Sequence, residues 1–395
     1  MPRKRRLPHI LLLVETSRAF GRGLIEGIAR YAWENGPWSI QFEDRALDSV
    51  PPKWLSEWKI DGVISRTTSV KLEKLLAEIR VPVVELHGTQ FLDYQLRADY
   101  LKVSQCVIDH FVNCGLRHFA YFSYEDNWWI QSNRTQFHEA LAERGFPCHC
   151  YPAPVTKSTI PVWRERHRPG LIKWLRSLPR PIGIFTSGDL HAVRLLNICR
   201  DIDIAVPEEM AIMGNGNDPV ICETVHPTLS SVDLDARRMG YEAANLLDMK
   251  MAGKEPKNVI YIPPSHLAVR QSTNLMVMDD PDIVRAMRHI REYACSGIDV
   301  NRLAEELDLS RSFLERGFRE HLGRSPKAEI MRVRLERAKQ LLERTDKTSK
   351  NLARQCGFSS LEYFIKAFRR EVGMTPNAYR RMRRISRDLE GTTHS

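Results

Sequence analysis

Short apolar runs alternate with amphipathic stretches of helical period through the first two thirds of the chain. His9–Glu15, Trp38–Glu43, Gly62–Ser65, Val81–Leu86, His118–Tyr124, Ile182–Thr186 and Met210–Gly214 read as strands. Between them, Gly23–Glu34, Val70–Arg80, Tyr100–Asn113, Gln131–Arg144, Trp163–Ser177, Leu190–Arg200 and Ala236–Met251 repeat their apolar residues at helical spacing. Strands separated by helices predict parallel sheets with helices on both faces, and this length of chain suffices for two such lobes. Beyond about residue 280 the alternation stops and only helical patterns remain. The expected fold is α/β and two-lobed, followed by an all-α domain, with 1–277 forming the first domain and 278–395 the second.

The helical segment has an internal repeat. Asp280-Pro281 supplies an N-cap and a first-turn proline, Ile283, Met287, Ile290 and Ala294 share a face, and Gly297 ends the helix. Val300–Leu307 is a short helix, Asp308-Leu309 a turn, and Ser310 the cap of an amphipathic helix through Leu322. About 50 residues later Asn351–Cys356, Gly357 and Ser359 or Ser360 repeat the arrangement, with Leu361, Phe364 and Phe368 inward. Lys327–Glu343 is a long helix between the two. A short helix, a brief turn and a second helix with a polar, basic outer face make a helix-turn-helix, here in tandem.

Charge sharpens this assignment. The net +10 is concentrated at one end: residues 281–395 carry about 25 Lys and Arg against 16 Asp and Glu, leaving about 34 against 33 elsewhere. Ser312, Glu315 and Arg316 are placed to read base edges in one major groove, and Glu362, Tyr363 and Lys366 in the next. Ser310 caps the first recognition helix, while Arg311, Arg319, Ser359, Ser360 and Arg369 are expected at phosphates. The bland alternative is a helical bundle with charged faces.

In the α/β part, segments that follow strands should line a cleft between the lobes. They include Glu15–Arg22, Asp99, Asp126-Asn127-Trp128-Trp129 with Arg134, Ser187-Gly188-Asp189 and Asn215-Gly216-Asn217-Asp218. The candidate effector-binding residues are Glu15, Arg18, Asp99, Trp128, Arg134, Asp189, Asn217 and Asp218. Carboxylates, amides and arginines can pair with vicinal hydroxyls, and an indole can stack on a sugar ring. Asp99 and Asp189 read equally well as helix N-caps, the tryptophans as core, and Arg134 as an ion-pair partner on its own helix.

Several function classes lose support. No Gly-x-Gly-x-x-Gly follows the first strand, no phosphate-binding Lys-Ser or Lys-Thr loop is present, and neither a Gly-x-Ser-x-Gly elbow nor a His-Glu-x-x-His helix occurs. Catalysis, a cofactor and a bound metal are therefore not expected. Met1–Val14 imitates a signal peptide, but Glu15 interrupts its short apolar run, and no stretch approaches bilayer length. Eight scattered cysteines suit a reducing cytoplasm, and Cys148-His149-Cys150 reads as strand alternation rather than a zinc site.

Residues 283–385 resemble the tandem helix-turn-helix domain of the AraC family. The carrying stretches are Leu303-Ala304, Ser310–Phe318, Leu352-Ala353-x-x-Cys356-Gly357-Phe358 and Tyr363-Phe364-x-x-Ala367-Phe368-Arg369-Arg370-x-x-Gly373-x-Thr375-Pro376-x-x-Tyr379-Arg380. Residues 8–275 resemble the periplasmic-binding-protein-like effector domain of the LacI family, through Val206–Gly214 and Pro227–Val232. The order of the two modules is similar to that of bacterial pentose-operon regulators. The resemblance implies a cytoplasmic homodimer that binds a double-stranded DNA operator, senses a small sugar such as the pentose D-xylose, works with RNA polymerase, and activates catabolic genes. It places Arg134, Asp189 and the Asn217/Asp218 position at sugar hydroxyls, although Asn215-Gly216-Asn217-Asp218 departs from the family's usual Gly-hydrophobic-Asp-Asp/Asn. The competing expectation is a sugar-binding or enzymatic α/β protein whose basic tail holds polyanions without sequence preference.

Overall fold

The computed structural model describes residues 6–43, 59–88, 91–124, 128–152, 167–275 and 280–382. The chain forms two compact units, residues 1–275 and 276–395. In chain order the first unit runs β1 (His9–Leu13), α1 (Ala19–Asn35), β2 (Ser39–Phe42), β3 (Gly62–Ser65), α2 (Val70–Glu78), β4 (Val83–Glu85), β5 (Tyr94–Ala98) and α3 (Tyr100–Asn113). It continues through β6 (His118–Phe122), α4 (Trp128–Ala142), β7 (Cys148–Cys150), α5 (Arg168–Ser177), β8 (Ile182–Thr186), α6 (Asp189–Asp201), β9 (Met210–Asn215) and α7 (Pro219–Thr224). It ends with β10 (Ser230–Asp233), α8 (Ala236–Met251), β11 (Val259–Ile262) and β12 (His266–Ala268).

These strands make two sheets, ordered β11-β5-β4-β3-β1-β2 and β12-β10-β9-β8-β6-β7. All the pairings are parallel except β10 with β12. Central strands are covered on both faces, which is why β1 from Ile10 and β8 up to Phe185 run without polar residues rather than alternating. The pattern of apolar runs does not mark β5, β10, β11 or β12: Gln95 and Arg97 interrupt β5, and Ser230-Ser231 open β10. The helix expected from Trp163 begins at Arg168, and residues 163–166 lie outside the described ones.

The chain passes between the lobes three times, after β5, after β10 and after β11. The crossings hold one another: Asp99 N donates to Ile262 O at 2.8 Å, and Ser265 N to Asp233 O at 2.9 Å. Asp235, in the left-handed region at φ 56°, turns the second crossing into α8 and caps it through Arg238 N. Back in the first lobe, α8 meets α1 backbone to backbone. A Cβ at Gly27 would lie 2.0 Å from Arg237 O, and one at Gly240 1.9 Å from Leu24 O, so each helix supplies the glycine that the other needs.

The second unit contains α9 (Pro281–Tyr293), α10 (Val300–Leu307), α11 (Arg311–Leu322), α12 (Pro326–Arg344), α13 (Ser349–Gln355) and α14 (Leu361–Val372), then helical residues 376–382. Two small cores form along α12. Ile283, Ile290, Leu303, Leu314 and Phe318 enclose Ile330, while Leu352, Phe364, Phe368 and Tyr379 enclose Leu335, Ala338 and Leu342. Asp308 at φ 54° makes the first turn, and Gly357 at φ 73° the second. A side chain at 357 would meet Ala294 O at 2.8 Å and Cys295 O at 2.9 Å, so the second turn packs on the first core's edge. Arg324 and Arg332 both bond to Glu329, which is buried at the start of α12. Burial pushes that carboxyl up, but the two guanidiniums outweigh it and hold it below its usual range.

Candidate functional site: an interlobe cleft and two exposed helices

A cavity of about 480 Å³ opens between the lobes at the strands' carboxyl ends, within the range usual for small-molecule sites. The first lobe contributes Arg18, Ala19 and Phe20 after β1, Arg66 after β3, His87 after β4, and Arg97 to Tyr100 at the first crossing. The second contributes Tyr124 and Trp129 near β6, Ser187 to His191 after β8, and Asn215, Gly216 and Asp218 after β9.

Asp189 organises the second lobe's floor. Oδ1 accepts the Ser231 hydroxyl at 2.5 Å and Oδ2 accepts Asp218 N at 2.8 Å. It is not the N-cap of α6, a position taken by Gly188. Burial raises its pKa, while Ser231 and Asp218 N pull the other way. Nearby, the Ser187 hydroxyl bonds His191 Nδ1, and the His191 ring lies 4.1 Å from that of Tyr124. Asp218 accepts from Val220 N at 3.1 Å and so caps α7 while its residue also lines the cavity.

The first lobe's wall is basic. Arg66 pairs with Glu15 and lies 4.8 Å over the Phe20 ring. Burial first, then Arg66 and Arg18, pushes the His87 imidazole well down, so it faces the cavity neutral. Its ring meets Trp129 edge-on at 5.2 Å, joining the lobes across the cleft. Below it, Glu85 is fully buried, accepts from Thr67 N and His87 N, and is pushed up to about 8 by desolvation. Among the buried polar atoms of lining residues, Arg66 Nε, Trp129 Nε1 and Asn215 Oδ1 have no hydrogen-bond partner among the described residues. Two donors and an acceptor left open on facing walls are the sort of groups that a polyhydroxylated ligand satisfies.

Of the candidates read from sequence, Arg18, Asp99, Asp189 and Asp218 come together here. Asp99 also caps α3 through Lys102 N at 3.1 Å, so its two readings coexist. Three others sit elsewhere. Glu15 lies behind the wall, 1% exposed, holding Arg66. Arg134 is out of phase with Trp129, Ser132 and Gln136, the lining residues of α4, and its charge acts on Tyr121 and Cys150. Asn217, left-handed at φ 50°, turns from the cavity, giving Nδ2 to Asp233 at 3.1 Å and accepting from Arg270 at 3.0 Å; Asn215 lines the cavity instead. The side chain of Trp128, and Asp126 and Asn127, lie outside the described residues; its neighbour Trp129 lines the cavity. Arg66 and His87 were open to the strand-end rule, since each follows a strand read from the sequence.

The second unit presents two matching helices. Ser310 and Ser360 cap α11 and α14 by accepting from Phe313 N and Tyr363 N, each at 3.1 Å. Arg311, Ser312, Arg316 and Arg319 are exposed on α11 with Glu315 half-buried among them. Arg311 donates to Asn301 Oδ1 at 3.0 Å. On α14, Glu362, Lys366 and Arg369 share an exposed face, Ser359 precedes it, and Tyr363 is 40% exposed beside Phe358. Bonds from its own amide and the Ser360 hydroxyl hold Glu362 below the usual carboxylate range.

Among the described residues no cluster could hold a metal ion, and no helix is long and apolar enough to cross a membrane. Cys148 and Cys150 lie on edge strand β7 with their sulfurs 3.7 Å apart.

Comparison with known proteins gives a consistent assignment. Residues 9–113 match the XylR N-terminal domain, 108–273 the periplasmic binding protein-like domain, and 303–382 a helix-turn-helix domain. The xylose operon regulatory protein of Haemophilus influenzae is 30% identical over 382 residues, covering 94% of this chain and 97% of its own. That of Escherichia coli is 29% identical, covering 94% and 96%. A solved structure described as a xylose-binding transcription activator, xylR, superposes with a TM-score of 0.81 at 28% identity, covering 96% of this chain and 99% of that one. A cellobiose complex of the regulator CelR, at 20% identity and a TM-score of 0.54, shares the fold of the effector unit. The chain belongs to the family of xylose operon regulatory proteins.

Proposed function

We propose that the protein is a sugar-responsive, sequence-specific transcription regulator that activates genes of pentose catabolism, with D-xylose the first effector to test. The observation that carries this reading is the pairing, in one chain, of an interlobe cleft with open polar atoms and two capped, exposed recognition helices. The protein acts by binding rather than by catalysis, in the cytoplasm, as a homodimer that engages RNA polymerase at its operator.

Sugar bound to both walls favours the closed arrangement of the lobes, and only such a difference in affinity between two states can drive a switch. Closure then alters how the DNA-binding units of a dimer reach successive grooves. The test is fluorescence anisotropy of the full chain on the DNA upstream of its own gene and neighbouring sugar genes, with and without D-xylose, in excess random duplex. A change in affinity of about fivefold or more is expected, the usual scale of allosteric coupling. Binding abolished by random duplex would point to nonspecific polyanion tethering.

A further inference from the structure

The motif Cys148-His149-Cys150 takes no part in the cleft or in the two exposed helices. It forms β7, an edge strand laddered to β6, with Phe119 opposite Cys148 and Tyr121 opposite Cys150. Alternation along the strand puts both sulfurs on one face, 3.7 Å apart, and turns His149 to the other. A structural metal site needs more ligands than two sulfurs, and among the described residues no cluster supplies them. Two thiols in contact are instead the reduced half of a disulfide couple.

The surroundings make the two sulfurs unequal. The side of α4 that carries Arg134, away from the cavity-lining Trp129, puts its charge at Cys150. A bond from the Cys148 thiol and then Arg134 pull Cys150 below the usual thiol value, against its burial. Cys148 is pushed up, by Cys150 first and then by burial. A cation beside a sulfur favours the thiolate, which is the attacking form. Cys106, the exposed cysteine, is pushed up by partial burial and by Asp109. Closure is also affordable in place. Alternate residues of a strand have Cα atoms about 6.7 Å apart, near the upper end of what a disulfide spans, so β7 must pucker slightly. An edge strand does this with ladder bonds at stake on one side only.

We propose that Cys148 and Cys150 form a redox-reactive dithiol, a modification site separate from the effector cleft, which a hydroperoxide oxidises to an intrachain disulfide. The Cys150 thiolate attacks one peroxide oxygen, the O–O bond breaks, and hydroxide leaves, giving a sulfenic acid. Cys148 loses its proton as its sulfur attacks that of Cys150; the S–S bond forms and the sulfenic oxygen leaves as water. The two thiols give up two electrons, and hydrogen peroxide is reduced to two waters.

Treatment of the reduced full chain with one equivalent of hydrogen peroxide, followed by differential alkylation and mass spectrometry, tests the proposal. The expected product has lost two hydrogens, with Cys148 and Cys150 joined, the exposed Cys106 still a thiol, and both sulfurs returned by dithiothreitol. In Cys148→Ser, Cys150 stops at a sulfenic acid that dimedone captures. Arg134→Gln, with folding checked by thermal unfolding, slows the first step about threefold or more, because the thiolate loses its cation. Oxidation of Cys106 ahead of the pair, a Cys148–Cys150 pair that stays reduced, or a disulfide formed between two chains would each overturn the proposal. An unchanged rate in folded Arg134→Gln would overturn the part assigned to Arg134.

Discussion

Arg334 donates through Nε to the carbonyl oxygen of Ala294 at 2.8 Å, and through Nη2 to that of Ile298 at 2.8 Å. One side chain of α12 thus satisfies two carbonyls at the edge of the first core, against which the Gly357 turn of the second core also packs. Arg334→Met keeps the apolar stem and removes the bonds, at a cost of about 1–3 kcal/mol. The expected outcome is a lower melting temperature for the DNA-binding unit. Affinity for a tandem operator should fall more than affinity for a single half-site, measured by titration on both duplexes.

The base-reading assignments separate by kind of loss. Arg316→Ala and Lys366→Ala should each cost about 1–3 kcal/mol and relax preference at particular base pairs. Arg319→Ala should weaken binding evenly across sequences and reduce the salt slope by about one. Competition against a panel of singly substituted operators distinguishes the two; an even loss for Arg316→Ala would move that residue to the phosphates.

Glu85 makes stability depend on pH. Its pKa of about 8 in the folded state lies above its ordinary 4.5, so the folded protein holds a proton that the unfolded chain has released. Stability therefore falls as pH rises from about 4.5 to about 8 and levels beyond. His87, pushed down, costs stability below 6.5, in the opposite direction. Glu85→Gln mimics the protonated form. Its melting temperature relative to the parent should climb between pH 6.5 and 8 and then stay constant; a flat difference would count against a neutral Glu85.

The contact between α1 and α8 leaves no room for a methyl group. Gly240→Ala places a Cβ 1.9 Å from Leu24 O and should destabilise the first unit by about 1–3 kcal/mol or more. Gly170→Ala in α5 meets nothing within 4 Å and should gain up to about 1 kcal/mol from helix propensity. Denaturant unfolding of the pair checks both signs.

Within the cleft, Asn215→Ala and Trp129→Phe each remove a polar atom that awaits a partner, and each should weaken effector binding about tenfold. Arg134→Ala, on the other side of α4, should leave it unchanged, as titration calorimetry would show. The sequence assigned Arg134 to the ligand because it comes after the His118–Tyr124 strand and because the family resemblance places it at a sugar hydroxyl, but helical phase decides which side of α4 faces the cavity.

Other elements explain what could be read in advance. Caps and stops were legible, as at Asp280, Ser310, Gly297 and Gly357, because each depends on a local hydrogen bond or a left-handed turn that few residue types supply. The central strands were legible because burial on both faces demands unbroken apolar runs. Strand β5 was not, since Gln95 and Arg97 break its apolar run: Arg97 lines the cleft, and the buried Gln95 accepts its bond at 2.8 Å. The choice between Asn215 and Asn217 turned on one positive φ, which the sequence Asn-Gly-Asn-Asp leaves open.

The three crossings between the lobes carry a consequence for genetics. A fragment ending at Asn113 would contain β1 to β5 but lose α8 and β11, which complete that lobe's core. The other lobe in turn needs β12, which follows β11. A chain cut short anywhere between Asn113 and Ala268 therefore leaves at least one half of the effector module without elements that complete it, so the two lobes are not separable by truncation.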